Sequence, residues 1–501
     1  AALFSVALSA AEVASLQRGT AQSTGNGDVV VTLPQSVDPS TSVLFFSSRH
    51  YSNRPPGSML RGRLSASTTV TFTRVSNQSS DIDINWTVVE FASGVSVQRG
   101  TFNMTAAPLD VALAQNVASV SQAFVLWSKT TGASETDYDE DDPIGGYLLN
   151  ASTLRFLAVN QNNSHVVDYQ VVEFTNPGDI FVQSGVNVMP NGDTQLDVAL
   201  PTSVNPGSAL LLAGYTSDSS GNQISRRMLN GELTGANSIR FSRERSGSGI
   251  DEVIWQVVEF REGSTVQQGM ETFSSGDSVR TVSLTTAVDP ASAVAFAGMQ
   301  PVGGLSMGST GYQSGDIPGT GAYTFDLGTG SLDIQRSNTA SSSTVGWSVI
   351  SFGSSSAPVL DLRMDELSWS GTPGEVTDSA SGIDGTAIDG ANTAGTTSAI
   401  PGNPGTCRYG VFDGVDDHVL VPHDPSLNGS AALTYSAWIY PLSWSGIRQI
   451  MAKSVHGGGS GPAQMGIFSE SNRLVLRAET LGGRRSVDVA LPTLGAWTHV
   501  A

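Results

Sequence analysis

The chain has 501 residues, with 25 Lys+Arg against 45 Asp+Glu and a formal net charge of -20. The length predicts about three to five domains. The charge has the wrong sign for a phosphate-tracking groove or an anionic membrane surface, which excludes nucleic-acid binding. Charged residues are 14% against 39% hydrophobic, so this is no disordered acidic tail. With 55 Gly, and Ser and Thr crowding the segments between apolar runs, the composition predicts strands joined by many turns.

The first eleven residues, AALFSVALSAA, are small and apolar. They read either as the remnant of a signal peptide or as the last strand of an earlier repeat. No apolar run reaches the roughly 18 residues of a membrane-spanning helix. The single cysteine, Cys407, permits no intrachain disulfide.

From there the chain repeats. An aromatic-x-Val-[Val/Ile]-x-Phe tag occurs at Trp86–Phe91, Tyr169–Phe174, Trp255–Phe260 and Trp347–Phe352, at intervals of 83, 86 and 92 residues. Each is preceded by Leu-x-x-x-Val, at Leu33/Val37, Leu113/Val117, Leu200/Val204 and Leu284/Val288. Three are followed by Val-Gln-x-Gly, at Gln98, Gln183 and Gln267, and an echo at Gln17 suggests an earlier copy ending before Ala21. The tags divide the chain into residues 1–20, then repeats 21–105, 106–190, 191–275 and 276–357. Segments such as VVVTLP and LDVALP alternate with period two and stop at Val-Asp/Asn-Pro, where proline ends a strand. Each repeat is thus expected to be a small antiparallel β-sandwich, and the four to follow one another as beads of a stalk. The layout resembles that of H-type lectin units, which are also six-stranded sandwiches ending in an aromatic strand.

Two acidic features stand out along the repeats. Glu90, Glu173 and Glu259 recur in the aromatic tag, with Ser351 in the fourth copy; a strand-end carboxylate reaching solvent is expected, a metal or sugar ligand the alternative. The run Asp137-Tyr-Asp-Glu-Asp-Asp142 in the second repeat is the densest charge, expected as a solvated loop tip, with calcium binding the alternative.

From about Pro358 the pattern changes. PVLDLRMDE, VTDSASGIDG, YGVFDGVDDHVLVP, LTYSAWIYP and GAWTHVA follow in order. Together, through Asp365, Asp378, Phe412, Asp413, Gly414, Asp416, Asp417, Trp438, Trp497 and His499, they resemble the LamG-like (concanavalin A-like) jellyroll over residues 358–501. The family continues for one to three strands beyond its His-Val-Ala motif, so the domain is expected to be cut short at Ala501. Within the family, Glu366, Ser368, Trp369, Gly371, Gly374, Glu375, Val376, Gly402, Pro404, Gly405, Cys407, Gly410 and Phe412 resemble the jellyroll of MshQ-type proteins, found with mannose-sensitive haemagglutinin (MSHA) pilus loci. The fold class expected is all-β, four tandem antiparallel β-sandwich repeats followed by a truncated LamG-like jellyroll.

The resemblance also implies Ca²⁺ as cofactor at a jellyroll rim, where loop carboxylates suit a hard cation. The candidates are Asp365, Asp378, Asp413, Asp416 and Asp417; the plain alternative is that these residues shape turns. The jellyroll segment lacks the Glu-x-Asp-x-x-Glu run of the glucanases that share this architecture, and the six histidines are scattered; His418 and His423 are expected as exposed or hydrogen-bonding imidazoles rather than a zinc pair. The reading is a non-catalytic bacterial surface or secreted protein, binding a glycan or surface protein through jellyroll loops, in adhesion or pilus biogenesis with pilus components as partners. The alternative is a set of carbohydrate-binding modules ancillary to a secreted hydrolase.

Overall fold

The computed structural model describes residues 3–4, 12–76, 81–159, 165–176, 178–218, 223–261, 263–299, 306–313, 317–352, 360–395, 408–424, 427, 436–453, 465–480 and 483–500. Cys407, His456, the Gly402–Gly405 part of the resemblance, and most of the apolar N-terminal segment lie outside these residues. The chain divides into two units, Ala10–Ser354 and Ala1–Ser9 with Ser355–Ala501.

In the first unit each repeat is two facing antiparallel sheets. In the first module the inner sheet orders Glu12–Ser23, Ile82–Ser93 and Ser42–His50, and the outer sheet orders Gly27–Thr32, Thr69–Arg74 and Arg61–Ala66. The later modules repeat this plan around the central strands His165–Phe174, Glu252–Phe260 and Ser343–Ser351. The pairing corrects the repeat frame drawn from the tags. Gln17 lies on the strand that pairs with Trp86–Phe91, so residues 12–20 open the first module rather than closing an earlier one. In the same way Val95–Met104 pairs with His165–Phe174 and opens the second.

All three tags turn out to build the sandwich. The Gly of Val-Gln-x-Gly lies under the aromatic ring of its partner strand: a Cβ on Gly19, Gly185 or Gly269 would come within 2.8 Å of Trp86, Trp255 or Trp347. The Gln amide both donates to and accepts from one backbone position across the module, Gln17 with Gln35, Gln98 with Gln115, Gln183 with Thr202, and Gln267 with Thr286. The Leu and Val of Leu-x-x-x-Val donate their backbone N–H groups to the turn before the aromatic half of the module, as Leu33 does to Thr68 and Val37 to Ser67. The recurring Glu is no free strand-end carboxylate. Glu90, Glu173 and Glu259 accept the backbone N–H of Asp38, Ala118 and Asn205, which pins the turn after each Leu-x-x-x-Val.

The modules do not string out as a stalk. Trp86 and Val88 face their own sandwich core, whereas Val89 and Phe91, on the opposite side of the strand, enter a second core shared by all four modules. There the last residues of the four tags meet in a closed circuit: Phe91–Phe174 at 6.1 Å between ring centroids, Phe174–Phe260 at 5.9 Å, Phe260–Phe352 at 6.3 Å and Phe352–Phe91 at 5.5 Å. Neighbours are stitched by side chains reaching backbone. Gln170 brackets Leu44, Gln256 brackets Val125, Gln268 reaches Pro206 and Ala209, and Arg18 of the first module closes the circle on Pro290 and Ala293 of the fourth. An inner sheet apolar on both faces must be covered on both, and three other copies supply the cover.

The second unit is also antiparallel β. Arg448–Lys453, Met465–Glu470, Arg473–Thr480 and Gly483–Ala490 form one sheet, and Ala437–Ile439 pairs with both Leu3–Phe4 and Thr498–Val500. Ala437, Ile439, Ile467, Leu474 and Val500 share one apolar cluster; Leu362, Met364, Trp369, Val376 and Ala387 form another under the turn-rich segment.

Phe260 is 3% exposed in the shared core. Phe260→Ala is expected to cost about 3–5 kcal/mol and to lower the melting of the whole first unit as one transition. Calorimetry showing only one module destabilised would contradict a common core.

Candidate functional site

The jellyroll candidates separate into two groups. Asp378 is a turn organiser. Its Oδ1 accepts the N–H groups of Asp361 (2.8 Å) and Ala380 (3.0 Å); its Oδ2 accepts those of Ser381 (3.0 Å) and Ile383 (2.9 Å) and the Ser381 hydroxyl. These bonds outweigh burial and hold its carboxyl well below the usual range. Asp365 is exposed and joins no acidic group among the described residues.

Asp413, Asp416 and Asp417 come together, each offering a carboxylate oxygen within 4.8 Å of the others. The loop holds itself in this shape. Asp413 Oδ1 accepts the N–H of Val415 (2.7 Å), Asp417 Oδ2 accepts that of Asp413 (2.8 Å), and Gly414 takes a positive φ of 76°. Those backbone bonds depress the Asp413 carboxyl, despite some burial cost. The Asp416 side chain carries none of the turn's bonds. On the other side the Arg448 guanidinium donates to the Gly414 carbonyl, a positive charge that any cation in the loop would face. His418 is exposed, its ring nitrogen Nδ1 against the Asp416 carbonyl, and His423 is exposed too; neither joins a metal-ligating group among the described residues.

Sequence reasoning missed an aromatic group in the same unit. Trp497 packs edge-to-face on Tyr409, 5.8 Å between ring centroids, and tilted against Tyr440 at 5.4 Å, all three half-buried. Their spacing in the chain gives no periodic signal; only the pairing of distant strands assembles them.

The acidic run of the second repeat is the largest departure from expectation. It is not a solvated tip. Asp141 and Asp142 have fully buried side chains, as do Lys129 and His165. Lys129 Nζ donates to His165 Nδ1 at 2.7 Å and lies 3.9 Å from Asp142 Oδ1; His165 Nε2 lies 3.6 Å from Asp141 Oδ2. Burial pulls the Lys129 amine down to about 8 against the attraction of Asp142 and Asp141. Burial, then the Lys129 charge, pushes His165 down to about 4. Burial pushes the Asp142 carboxyl well above the carboxylate range. Tyr138 of the same run fills an apolar cluster with Met59, Ile224, Met228, Met307 and Ala322, to which all four modules contribute. The loop is swallowed because the ring closes over it.

Two sequence spellings of catalytic type occur in the repeats without their structural setting. Glu135, Asp137 and Glu140 have Glu-x-Asp-x-x-Glu spacing but lie on an irregular loop rather than one strand face. Residues 304–308 read Gly-Leu-Ser-Met-Gly, yet Ser306 sits in the strand Ser306–Met307, paired with Tyr323, and not at a strand-to-helix turn. A cleft of about 150 Å³ opens where the third module meets the fourth, lined by Leu211, Gly231, Gln268, Trp347 and Ser348. Ser348 stands where Gln170 and Gln256 bracket backbone at the other joints.

The fold thus defines an all-β protein with a jellyroll-type domain at its C-terminal end. A sequence model of the concanavalin A-like lectin/glucanases superfamily matches residues 413–501, from the acidic loop to the end of the chain. No curated protein matches the chain. No helix among the described residues is long and apolar enough to cross a membrane.

His50, in the first module, is fully buried, its Nδ1 accepting the Ser52 N–H at 3.1 Å, and burial lowers it to about 4. The unfolded chain therefore binds a proton here, between about pH 6.5 and 4, that the folded chain refuses. Stability is expected to fall as pH drops through that window, by on the order of 3 kcal/mol from this residue. Denaturation of wild type and His50→Gln across pH should show a shallower decline in the variant; parallel curves would contradict the assignment.

Proposed function

We propose that the chain is a non-catalytic recognition protein of the bacterial cell surface or exterior, binding a glycan or surface protein through loops of its jellyroll. The observation that carries the reading is the Asp413–Asp416–Asp417 loop, at the start of the segment matched to a lectin-containing superfamily. Its carboxylates fit a hard cation: Asp413 and Asp417 each spend one oxygen on the turn, and Asp416 is left over. Asp413, Asp416 and Asp417 would hold Ca²⁺, which would supply a positive charge for a sugar hydroxyl or a carboxylate on the partner. Tyr409, Tyr440 and Trp497 offer apolar faces of the kind that sugar rings stack on.

The resemblance to MshQ-type jellyrolls extends this reading to adhesion or the biogenesis of an MSHA-like type IV pilus, with pilus components as partners. That this superfamily joins lectins with glucanases supports the alternative reading, a module ancillary to a hydrolase.

Calorimetric titration of the full chain with calcium, followed by glycan-array binding with and without the ion, tests the proposal. Asp416→Ala is expected to weaken calcium binding at least roughly tenfold while leaving the melting temperature of the calcium-free protein unchanged. Absence of both calcium and glycan or protein binding in the wild type would overturn the reading. Release of new reducing ends from a bound glycan would overturn its non-catalytic part.

A further inference from the structure

Lys129 is a fully buried amine that faces both a carboxylate, Asp142, and an imidazole, His165. By strand register its place in the first and third modules is taken by Ser48 and Tyr215, since Ser48 pairs with Ile84, Lys129 with Val167 and Tyr215 with Val253. Three buried arginines of the unit are held by carbonyls, Arg74 by Gly25 and Gly57, Arg243 by Pro190, Asn191, Asp193 and Arg226, and Arg336 by Ser274, Asp277 and Thr320, and a fourth, Arg227, lies over the Tyr138 ring. Lys129 instead donates to an imidazole nitrogen, 2.7 Å away, which is a base positioned on a nucleophile. Facing the same amine, Asp142 keeps Oδ2 on the Asp139 N–H at 2.9 Å, while Oδ1, 3.9 Å from Nζ, is buried and receives no hydrogen bond.

We propose that Lys129 and Asp142 are joined by an intramolecular isopeptide bond, with His165 carrying the proton and Asp141 positioning His165. The Nζ lone pair attacks Cγ of the protonated Asp142 carboxyl, and His165 Nδ1 takes a proton from Nζ. The Asp139 N–H steadies the developing charge on Oδ2. The intermediate collapses as the Cγ–Oδ1 bond breaks, and His165 returns its proton to that oxygen, so amine and acid become an amide and one water. The reaction replaces two ionisable groups sealed in the interior with a neutral amide, which removes their desolvation cost. A dry site also favours amide over hydrolysis, because the released water has no pool to return from. The Asp141 carboxylate, its Oδ2 3.6 Å from His165 Nε2, favours by its charge the tautomer that carries the proton on Nε2 and leaves Nδ1 to accept. The link would tie the acidic loop, which the sequence alone presents as solvated, to the strand Ala123–Thr130.

Intact-mass spectrometry of the folded full-length chain tests this. The mass is expected to be lower than that of the sequence by one water, and peptide mapping is expected to recover a branched fragment joining Lys129 to Asp142. Lys129→Arg should restore the full mass. Asp142→Asn should still link, losing ammonia in place of water. His165→Gln should slow linkage by about 10²-fold or more, which a merely structural histidine would not do in a variant of unchanged fold. A folded wild-type chain at its full sequence mass would overturn the proposal, even if the variants fail to fold. So would a water loss that maps to any other pair of residues. Neither outcome bears on calcium or glycan binding in the jellyroll.

Discussion

Four phenylalanines, Phe91, Phe174, Phe260 and Phe352, close a circuit at the centre of the first unit, and the rest of that unit is arranged around the need to bury them. Each stands at the end of a strand whose opposite face is already committed to its own sandwich. A lone module would leave Val89 and Phe91, or their equivalents, in water. Burying a side chain of this size is worth about 1.5–3 kcal/mol, and four modules each bring several. The edge strands face the same constraint. Ser42–His50 and its counterparts lie at the edge of each inner sheet, where exposed backbone invites pairing with another chain. Gln170 and Gln256, each bracketing one backbone position of the preceding module, cover that edge at two joints.

Closure changes the meaning of the chemistry in the second module. An acidic run on a bead of a stalk would be hydrated and of little consequence. Covered by neighbouring modules, it puts carboxylates, an amine and an imidazole in a medium where charge is expensive. The perturbed acid–base behaviour of Lys129, His165 and Asp142 follows from that burial first and from their mutual charges second. The jellyroll loop shows the opposite economy. Asp413, Asp416 and Asp417 stay near solvent, shaped by backbone bonds, in a setting where binding and release are both feasible.

Much of the fold was legible in the sequence because its signals are local. Period-two alternation, Val-Asp/Asn-Pro breaks and the fixed offset within Leu-x-x-x-Val report backbone geometry that each module needs for itself. The paired tags, Gly under Trp and Gln across to backbone, repeat because the sandwich repeats. The shared core was less legible. Trp86 and Val88 alternate with Val89 and Phe91, so the strand is apolar on both faces; that reads equally well as a central strand or as a strand between two cores. The frame of the modules was misplaced for a related reason, since the strand after one aromatic tag pairs with the next tag, not the previous one. The candidate site was legible only in part. Asp413, Asp416 and Asp417 are near in sequence and near in space, whereas Asp378 looked the same in sequence and is spent on its own turn. Lys129 and His165 lie 36 residues apart, and no pattern links them until strands Ala123–Thr130 and His165–Phe174 pair.

The central claim is that the first and fourth modules, far apart in the chain, are neighbours in one core. A double-mutant cycle on Phe91 and Phe352, each changed to Leu, measures this directly in the full chain. Their rings are 5.5 Å apart at an interplanar angle of 90°. The account predicts a coupling energy of about 0.5–1.5 kcal/mol. Strict additivity of the two substitutions would mean that the circle does not close and that the repeats stand as separate domains.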